Sequence, residues 1–430
     1  MNSKDTSSPD VANKSSLFEP FQLGPLTLKN RMVMAPLTRS RATGDGIPTE
    51  MMEVYYAQRA TAGLIISEGV VISPQGVAYP RVPGLYSNEQ VEAWKPITEA
   101  VHKQGGLIFA QLWHVGRQSH SSVQPDSLRP QAPSPIAIKN YKYNSRPIPL
   151  AYETPRELTL AGIQEIIKQY ADAAARAIDA GFDGVELHGA NGYLIDQFLN
   201  SASNQRTDSY GGSVENRMRF LVEILQAIAR KVPLNRVGVR LSPSSTWMDA
   251  VDLDKYRLHS AVVKRLDEMH IAYLHLVEPR IAGSTTIESS AGEIPVADLA
   301  NLFSGTVIAT GEHDLGSATM RINEGVADLV GFGRYFISNP DLPERMQSGA
   351  PLIQPDRKTF YSGRERGYIT YPSLAAEQRW QEYEDAFSGG YQTPAEVKAR
   401  LEPLSWRELE ASNDLFSLSQ INNLVSLELS

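Results

Sequence analysis

His188-Gly-Ala-Asn191-Gly-Tyr193-Leu-Ile-Asp-Gln-Phe-Leu follows directly on the apolar run Gly184-Val-Glu-Leu187, and the fold turns on how this stretch is read. A helix-patterned segment (160–180) and Gly181 precede it, so the apolar run reads as a buried parallel strand. Its polar residues then fall where the strand ends and the next helix begins. Parallel α/β folds place their chemistry at that point. Two nitrogen-bearing side chains and a phenol there can hold a carbonyl oxygen and deliver a proton beside it. A second reading has His188 and Asn191 doing no more than tying down loop backbone. On this stretch alone both readings stay open.

Working outward, apolar strand candidates recur at 31–36, 64–68, 107–113, 184–188, 237–241, 273–277, 307–310 and 329–332. Helix-patterned segments alternate with them at 49–62, 88–104, 160–180, 214–231, 252–269, 295–303, 316–323 and 340–347. Ser87 with Gln90 and Ser213 with Asn216 are helix-start signals. The alternation predicts an α/β fold, a (β/α)8 TIM barrel, because closure alone satisfies both edges of such a sheet. An open doubly wound sheet is the competing arrangement, but it usually carries a glycine fingerprint after its first strand. Here Leu37-Thr38-Arg39 stands in that place.

The segment 21–28 alternates around Gly24-Pro25 and predicts an N-terminal hairpin capping the barrel's lower end. A Pro-, Ser- and Tyr-rich stretch (119–153) is a long loop after the third strand and a candidate lid. The expected organisation is a disordered leader at 1–16, a barrel domain at 17–382 and a C-terminal extension at 383–430. For the extension the sequence suggests helices on either side of a Gly389-Gly390 turn, the first over 374–387 and the second starting at Thr393.

The 430 residues carry 42% hydrophobic and 21% charged side chains, ordinary for a globular enzyme. A net charge of −8 with no basic cluster argues against a nucleic-acid partner, and no apolar stretch is long enough to span a bilayer. The chain has no cysteine, which excludes disulfides, thiolate metal sites and a cysteine nucleophile, and suits a reducing, cytosolic setting. The polar, Ser-rich N-terminus lacks the apolar centre of a signal peptide.

In a barrel, the C-terminal ends of the strands converge on one mouth. Those ends supply Pro36 and Thr38, then Glu68-Gly69, then Gln111 and Trp113 with His114 beyond. They continue with His188, Asn191 and Tyr193, Arg240, Glu278-Pro279-Arg280, Gly311, and Gly331-Phe332-Gly333-Arg334. Glycines after strands seven and eight, followed by an arginine, are what a phosphate site requires. Read singly, Gly311 and Gly333 are turn residues and Arg334 a rim ion pair. Between that site and His188, the amide of Gln111, the hydroxyl of Thr38 and the charge of Arg240 suit an isoalloxazine ring, whose edge alternates donors and acceptors and becomes anionic on reduction. The alternative for Arg240 is a buried ion pair with Glu186 or Glu278.

These residues resemble the Old Yellow Enzyme family of flavin-dependent ene-reductases. The likeness runs from about residue 17 to about 380. It is carried by Ala35-Pro-Leu-Thr-Arg39, Ser67-Glu-Gly69, Gln111-Leu-Trp113, the stretch from His188 to Phe198, Arg206-Thr-Asp-Ser-Tyr-Gly-Gly-Ser-Val-Glu-Asn-Arg217, Phe332-Gly-Arg334, Ile337-Ser-Asn-Pro-Asp-Leu342 and Gly367-Tyr-Ile-Thr-Tyr-Pro372. The wording Gln111-Leu-Trp-His-Val-Gly-Arg117 looks most like bacterial reductases of maleimides and nitro compounds.

The resemblance implies non-covalent FMN, NADPH or NADH as reductant, and an α,β-unsaturated carbonyl or nitro compound as oxidant. It implies a cytoplasmic monomer or homodimer with a small-molecule activated alkene as partner. By the same resemblance His188 and Asn191 grip the substrate carbonyl and Tyr193 protonates the α-carbon. Pro36, Thr38, Gly69, Gln111 and Arg240 hold the flavin, Gly311, Gly333 and Arg334 its phosphate, and Trp113, Trp247 and Tyr371 wall the pocket. Trp247 stands where Phe is frequent in the family, and Tyr141, Tyr143 and Tyr152 fall in the region that sets substrate choice.

Two other functions are weighed. A flavin-dependent isomerase without net reduction needs the proton donor missing or misplaced, yet Tyr193 is present. A non-redox phosphate-binding barrel would want a lysine or a metal cluster at the mouth, yet no lysine falls at a strand end.

Overall fold

Eight strands pair with their neighbours in chain order, all in parallel, and the eighth pairs with the first to close a barrel. They are β1 (Met32–Met34), β2 (Leu64–Val71), β3 (Ile108–Trp113), β4 (Gly184–Gly189), β5 (Val237–Leu241), β6 (Tyr273–Val277), β7 (Thr306–Thr310) and β8 (Leu329–Phe332). The helices that return the chain are α1 (Glu50–Gln58), α2 (Asn88–Lys103), α3 (Leu160–Asp179), α4 (Val214–Ala229), α5 (Lys255–Glu268), α6 (Val296–Ala300), α7 (Leu315–Asn323) and α8 (Leu342–Ser348). The molecule is thus a (β/α)8 barrel. This is a computed structural model describing residues 15–143, 149–252, 254–279, 281–282, 285–286 and 292–378.

The strands are buried on both faces, which is why they read as apolar runs rather than as alternation. The lower lumen is filled by Val33, Ile66, Phe109, Tyr273, Ile308 and Leu329. Leu23 and Leu28 of the N-terminal hairpin (Phe21–Leu23 with Leu26–Leu28) pack into the same cluster, so the hairpin stoppers the barrel floor. Each fully buried side chain of this size contributes roughly 1.5–3 kcal/mol of hydrophobic stabilisation. The helix starts are capped as the sequence suggests. Ser87 and Gln90 form a reciprocal capping box, and the Ser213 hydroxyl accepts from the Asn216 N–H.

Three features position the mouth. The β2–β3 register shifts between Ile66 and Gly69, a bulge that lets Gly69–Val71 rejoin the sheet opposite Gln111–Trp113. The freed Ser67 hydroxyl accepts the Gln111 N–H at 3.1 Å, while the Glu68 carboxylate accepts the N–H groups of Arg39 and Ser40. The insertion after β3, in its described part, adds two small strand pairs, and Tyr143 and Tyr152 join a satellite core with Trp113 and Met248.

The third feature is an arginine clamp. Arg39, Arg41 and Arg59 are buried and reach backbone carbonyls far away in sequence: Arg39 those of Phe360 and Gly367, Arg41 that of Thr359, Arg59 those of Phe336 and Ile337. Tyr368 stacks on Tyr55 at 4.1 Å between ring centroids, and the Arg59 guanidinium covers the Tyr55 ring at 3.8 Å. The segment 357–368 is thereby fastened beside the β1 loop.

At the chain ends, the Ser15 hydroxyl lies 2.6 Å from that of Thr319. Helical geometry begins at 374, where a helix was expected. The rest of the leader (1–14) and of the C-terminal extension (379–430), with the expected Gly389-Gly390 turn and the helix start at Thr393, lies outside the described residues.

Candidate active site

A cavity of about 810 Å³ opens at the C-terminal ends of the strands, within the range of small-molecule sites. The sequence-predicted residues meet there with one exception. Pro36, Thr38, Gly69, Gln111 and Arg240 line it, as do Gly311, Gly333 and Arg334. Trp113, His188, Asn191, Tyr193 and Trp247 line it as well.

The exception is Tyr371. Its hydroxyl accepts the Asp356 N–H at 2.9 Å and its ring faces a separate groove beside Gln58 and Pro340, so it is no wall of this cavity. Tyr361, ten positions earlier in the clamped segment, lines the mouth instead. Sequence reasoning also passed over Phe360, Glu312 and Tyr79. Tyr79 follows the bulged strand β2 and stacks on Trp113 at 5.7 Å. A Tyr-Pro pair just past a strand end was the available signal.

In the loop after β4, the backbone is held by residues other than the His188 and Asn191 side chains. Asn191 sits at φ +58°, a left-handed conformation that asparagine tolerates better than most residues. Its N–H donates to the Ser242 hydroxyl at 2.8 Å, and its carbonyl accepts from Gln118 Nε2 at 2.7 Å. The Gly192 N–H donates to Asp196 Oδ2, and its carbonyl accepts from Gln197 Nε2, each at 2.7 Å. Other residues therefore do the tying. His188 Nδ1 and Asn191 Oδ1 are buried at the cavity with no hydrogen-bond partner among the described residues, which is rare for polar atoms unless a ligand completes them.

Around this pair the aromatic rings fix the geometry. Tyr193 meets His188 edge to face at 4.8 Å and Trp113 at 5.0 Å. Gly69 makes room for that indole, since a Cβ there would lie 2.4 Å from Trp113 Cε3. Tyr141, from the insertion, packs on Trp247 at 4.8 Å.

The electrostatics follow from desolvation. Burial, then the charges of Arg240 and His275, holds the His188 imidazole well below its ordinary range, so it is neutral near pH 7. Burial, with the Tyr79 phenol next, raises Tyr193 well above 10, so its proton is retained. Burial also lowers Arg240, with Glu186 pulling the other way. Its Nε has no hydrogen-bond partner among the described residues. Among the described residues Glu278 pairs with Arg321 at 3.0 Å and Glu186 with His275 at 2.7 Å, and Glu186 acts on Arg240 through its charge.

At the other end, Arg334 Nη2 donates to Glu312 Oε1 at 2.6 Å while lining the cavity. Gly311 is required at this end because a Cβ would run into the Glu278 side chain at 2.3 Å.

The residues fit a flavin mononucleotide. A donor–acceptor amide, a hydroxyl and a buried cation line the cavity together with glycines and an arginine.

The Asp196 carboxyl that braces the Gly192 turn is pushed up to about 7, chiefly by burial. A carboxyl raised in the folded state stabilises the fold below its ordinary value of 3.8, and that contribution is lost as pH rises through about 7. Asp196→Asn keeps an acceptor without the charge. Its stability relative to the parent should therefore improve between pH 5 and pH 8, by roughly 1–4 kcal/mol. Urea unfolding of both proteins at the two pH values measures this, and parallel curves would contradict it.

The sequence pattern of the NADH:flavin oxidoreductase / NADH oxidase family matches residues 16–352. A 12-oxophytodienoate reductase 7 from Oryza sativa subsp. japonica is 44% identical over 382 residues, covering 84% of this chain and 95% of that protein. An old yellow enzyme homologue from Zymomonas mobilis superposes with a TM-score of 0.80 at 42% identity, covering 84% of this chain and all of that one. Morphinone reductase in complex with tetrahydroNAD gives 0.78 at 44%, covering 84% and 98%.

Proposed function

The chain belongs to the NADH:flavin oxidoreductase / NADH oxidase family, and from that premise we propose how its mouth divides the work. It is an FMN-dependent, NAD(P)H-driven ene-reductase acting on small activated alkenes. When bound, FMN accepts hydride from the nicotinamide and supplies it to the β-carbon of the alkene. Thr38, Gln111 and Arg240 hold the ring, with Pro36 and Gly69 against it, while Gly311, Gly333 and Arg334 hold the phosphate.

His188 and Asn191 donate hydrogen bonds to the substrate carbonyl oxygen, drawing electron density from the double bond. A neutral imidazole suits this task, because it stabilises developing enolate charge without surrendering a proton. Tyr193 holds the proton beside them and delivers it to the α-carbon. Trp113 and Trp247 narrow the space and exclude water. The reading is supported by one observation: the nitrogens His188 Nδ1 and Arg240 Nε are buried without a hydrogen-bond partner among the described residues, around one cavity that Asn191 and Tyr193 also line.

Among the described residues no helix is long and apolar enough to cross a membrane. A chain without cysteine suits a reducing, cytosolic setting.

An anaerobic visible-spectrum titration tests the reading. Purified protein should show a flavin spectrum that bleaches with NADPH and returns with cyclohexenone, with cyclohexanone formed. Bleaching without return would favour the isomerase, and no flavin after soaking in FMN would revive the non-redox barrel.

A further inference from the structure

We propose that Glu186 is a positioning residue for the cofactor ring: from beneath the cavity floor it locks the amide of Gln111 in one of its two orientations. This rests on the flavin reading, which assigns Gln111 to the ring edge.

Glu186 is fully buried on β4, beside Gln111 in the β3–β4 pairing, and does not line the cavity. Its two oxygens are met from two other strands. Gln111 Nε2 donates to Oε1 at 2.8 Å, and His275 Nδ1 donates to Oε2 at 2.7 Å. His275 Nε2 in turn accepts from the Thr310 hydroxyl at 2.7 Å. The chain of bonds thus crosses the lumen from β7 through β6 and β4 to β3, and its two ends, Thr310 and Gln111, are the members that line the cavity.

Every donor in this chain points toward Glu186, and that sets its polarity. An ionised carboxylate only accepts, so it dictates which end of the Gln111 amide faces down and which His275 nitrogen carries the hydrogen. Burial alone would raise the Glu186 carboxyl, but His275, Arg240 and Gln111 overcome it and keep the group anionic. With one Nε2 hydrogen committed to Glu186, Gln111 retains Oε1 and a second N–H, an ordered acceptor–donor pair. That pair is what a donor–acceptor ring edge reads. A flipped amide would present it in reverse.

A carboxylate that merely stabilised the barrel would not act through Gln111, and this separates the two roles. Dissociation constants for FMN, from fluorescence quenching on the stripped full-length chain, should be measured for the parent, Glu186→Gln, Gln111→Ala and the double variant. Glu186→Gln allows either amide orientation and should weaken FMN binding about tenfold, as loss of one well-made hydrogen bond would. In the Gln111→Ala background it should have no further effect. Equal weakening in both backgrounds, or no weakening in either, overturns the proposal while leaving the flavin reading intact. A parent that takes up no FMN overturns both.

If Glu186→Gln does not fold, the parent labelled with ¹⁵N-glutamine supplies the answer. The Gln111 side-chain amide, identified by its loss in Gln111→Ala, should show one hydrogen shifted downfield and slow to exchange. An ordinary, rapidly exchanging pair overturns the proposal.

Discussion

Replacing His188 and Asn191 together with alanine is expected to abolish binding of phenolic ligands and slow flavin reoxidation by cyclohexenone at least about 10³-fold, given the usual 10²–10³ for one oxyanion donor. FMN should remain bound, because neither side chain is assigned to the ring or the phosphate. The loop should also survive, since its backbone is held by Ser242, Gln118, Asp196 and Gln197 rather than by the side chains removed. A phenol titration followed through the flavin spectrum, with stopped-flow reoxidation, measures both effects. If the double variant still binds phenols and perturbs the spectrum, the carbonyl grip belongs to other residues.

Tyr193→Phe isolates the proton. The ring keeps its edge contacts with His188 and Trp113, so only the hydroxyl is lost. Reduction of the flavin by NADPH should proceed at the parental rate, while reoxidation by cyclohexenone should slow about 10²-fold or more, the usual range for a positioned general acid. Rapid-mixing of each half-reaction separates the two. Equal loss in both would mean that Tyr193 shapes the cavity rather than delivering a proton.

Most of the barrel is legible in the sequence because its strands are buried on both sides and its connections are regular. The expected bounds of β5, β6 and β8 coincide with those found. The departures have local causes. Strand β2 runs to Val71 because the bulge at Ser67–Glu68 absorbs one extra residue and lets the chain rejoin β3, which an apolar run cannot reveal. At the same bulge Glu68 faces Arg39 and Ser40 rather than the cavity. Helix α1 stops at Gln58, where Arg59 caps it and sends its guanidinium to two other stretches of backbone, at Phe336–Ile337 and at Tyr368.

At the site, polar residues on strand ends were found by counting along strands. The segment from 357 onward has no such period. Nothing in Tyr361 or Tyr371 alone tells which faces the mouth, and only the path imposed by Arg39 and Arg41 selects Tyr361.

That path is gripped almost wholly through carbonyl oxygens, the one feature every amino acid shares. Apart from Tyr368, whose ring lies under Arg39 and Arg41, the anchoring arginines take hold of backbone rather than side chains. The exposed Tyr361 side chain stands outside these carbonyl contacts, unlike the buried Phe360, so this part of the outer wall is a replaceable piece mounted on a fixed bracket. Selectivity among alkenes can then drift by substitutions there without disturbing the barrel, the cofactor cradle or the proton donor.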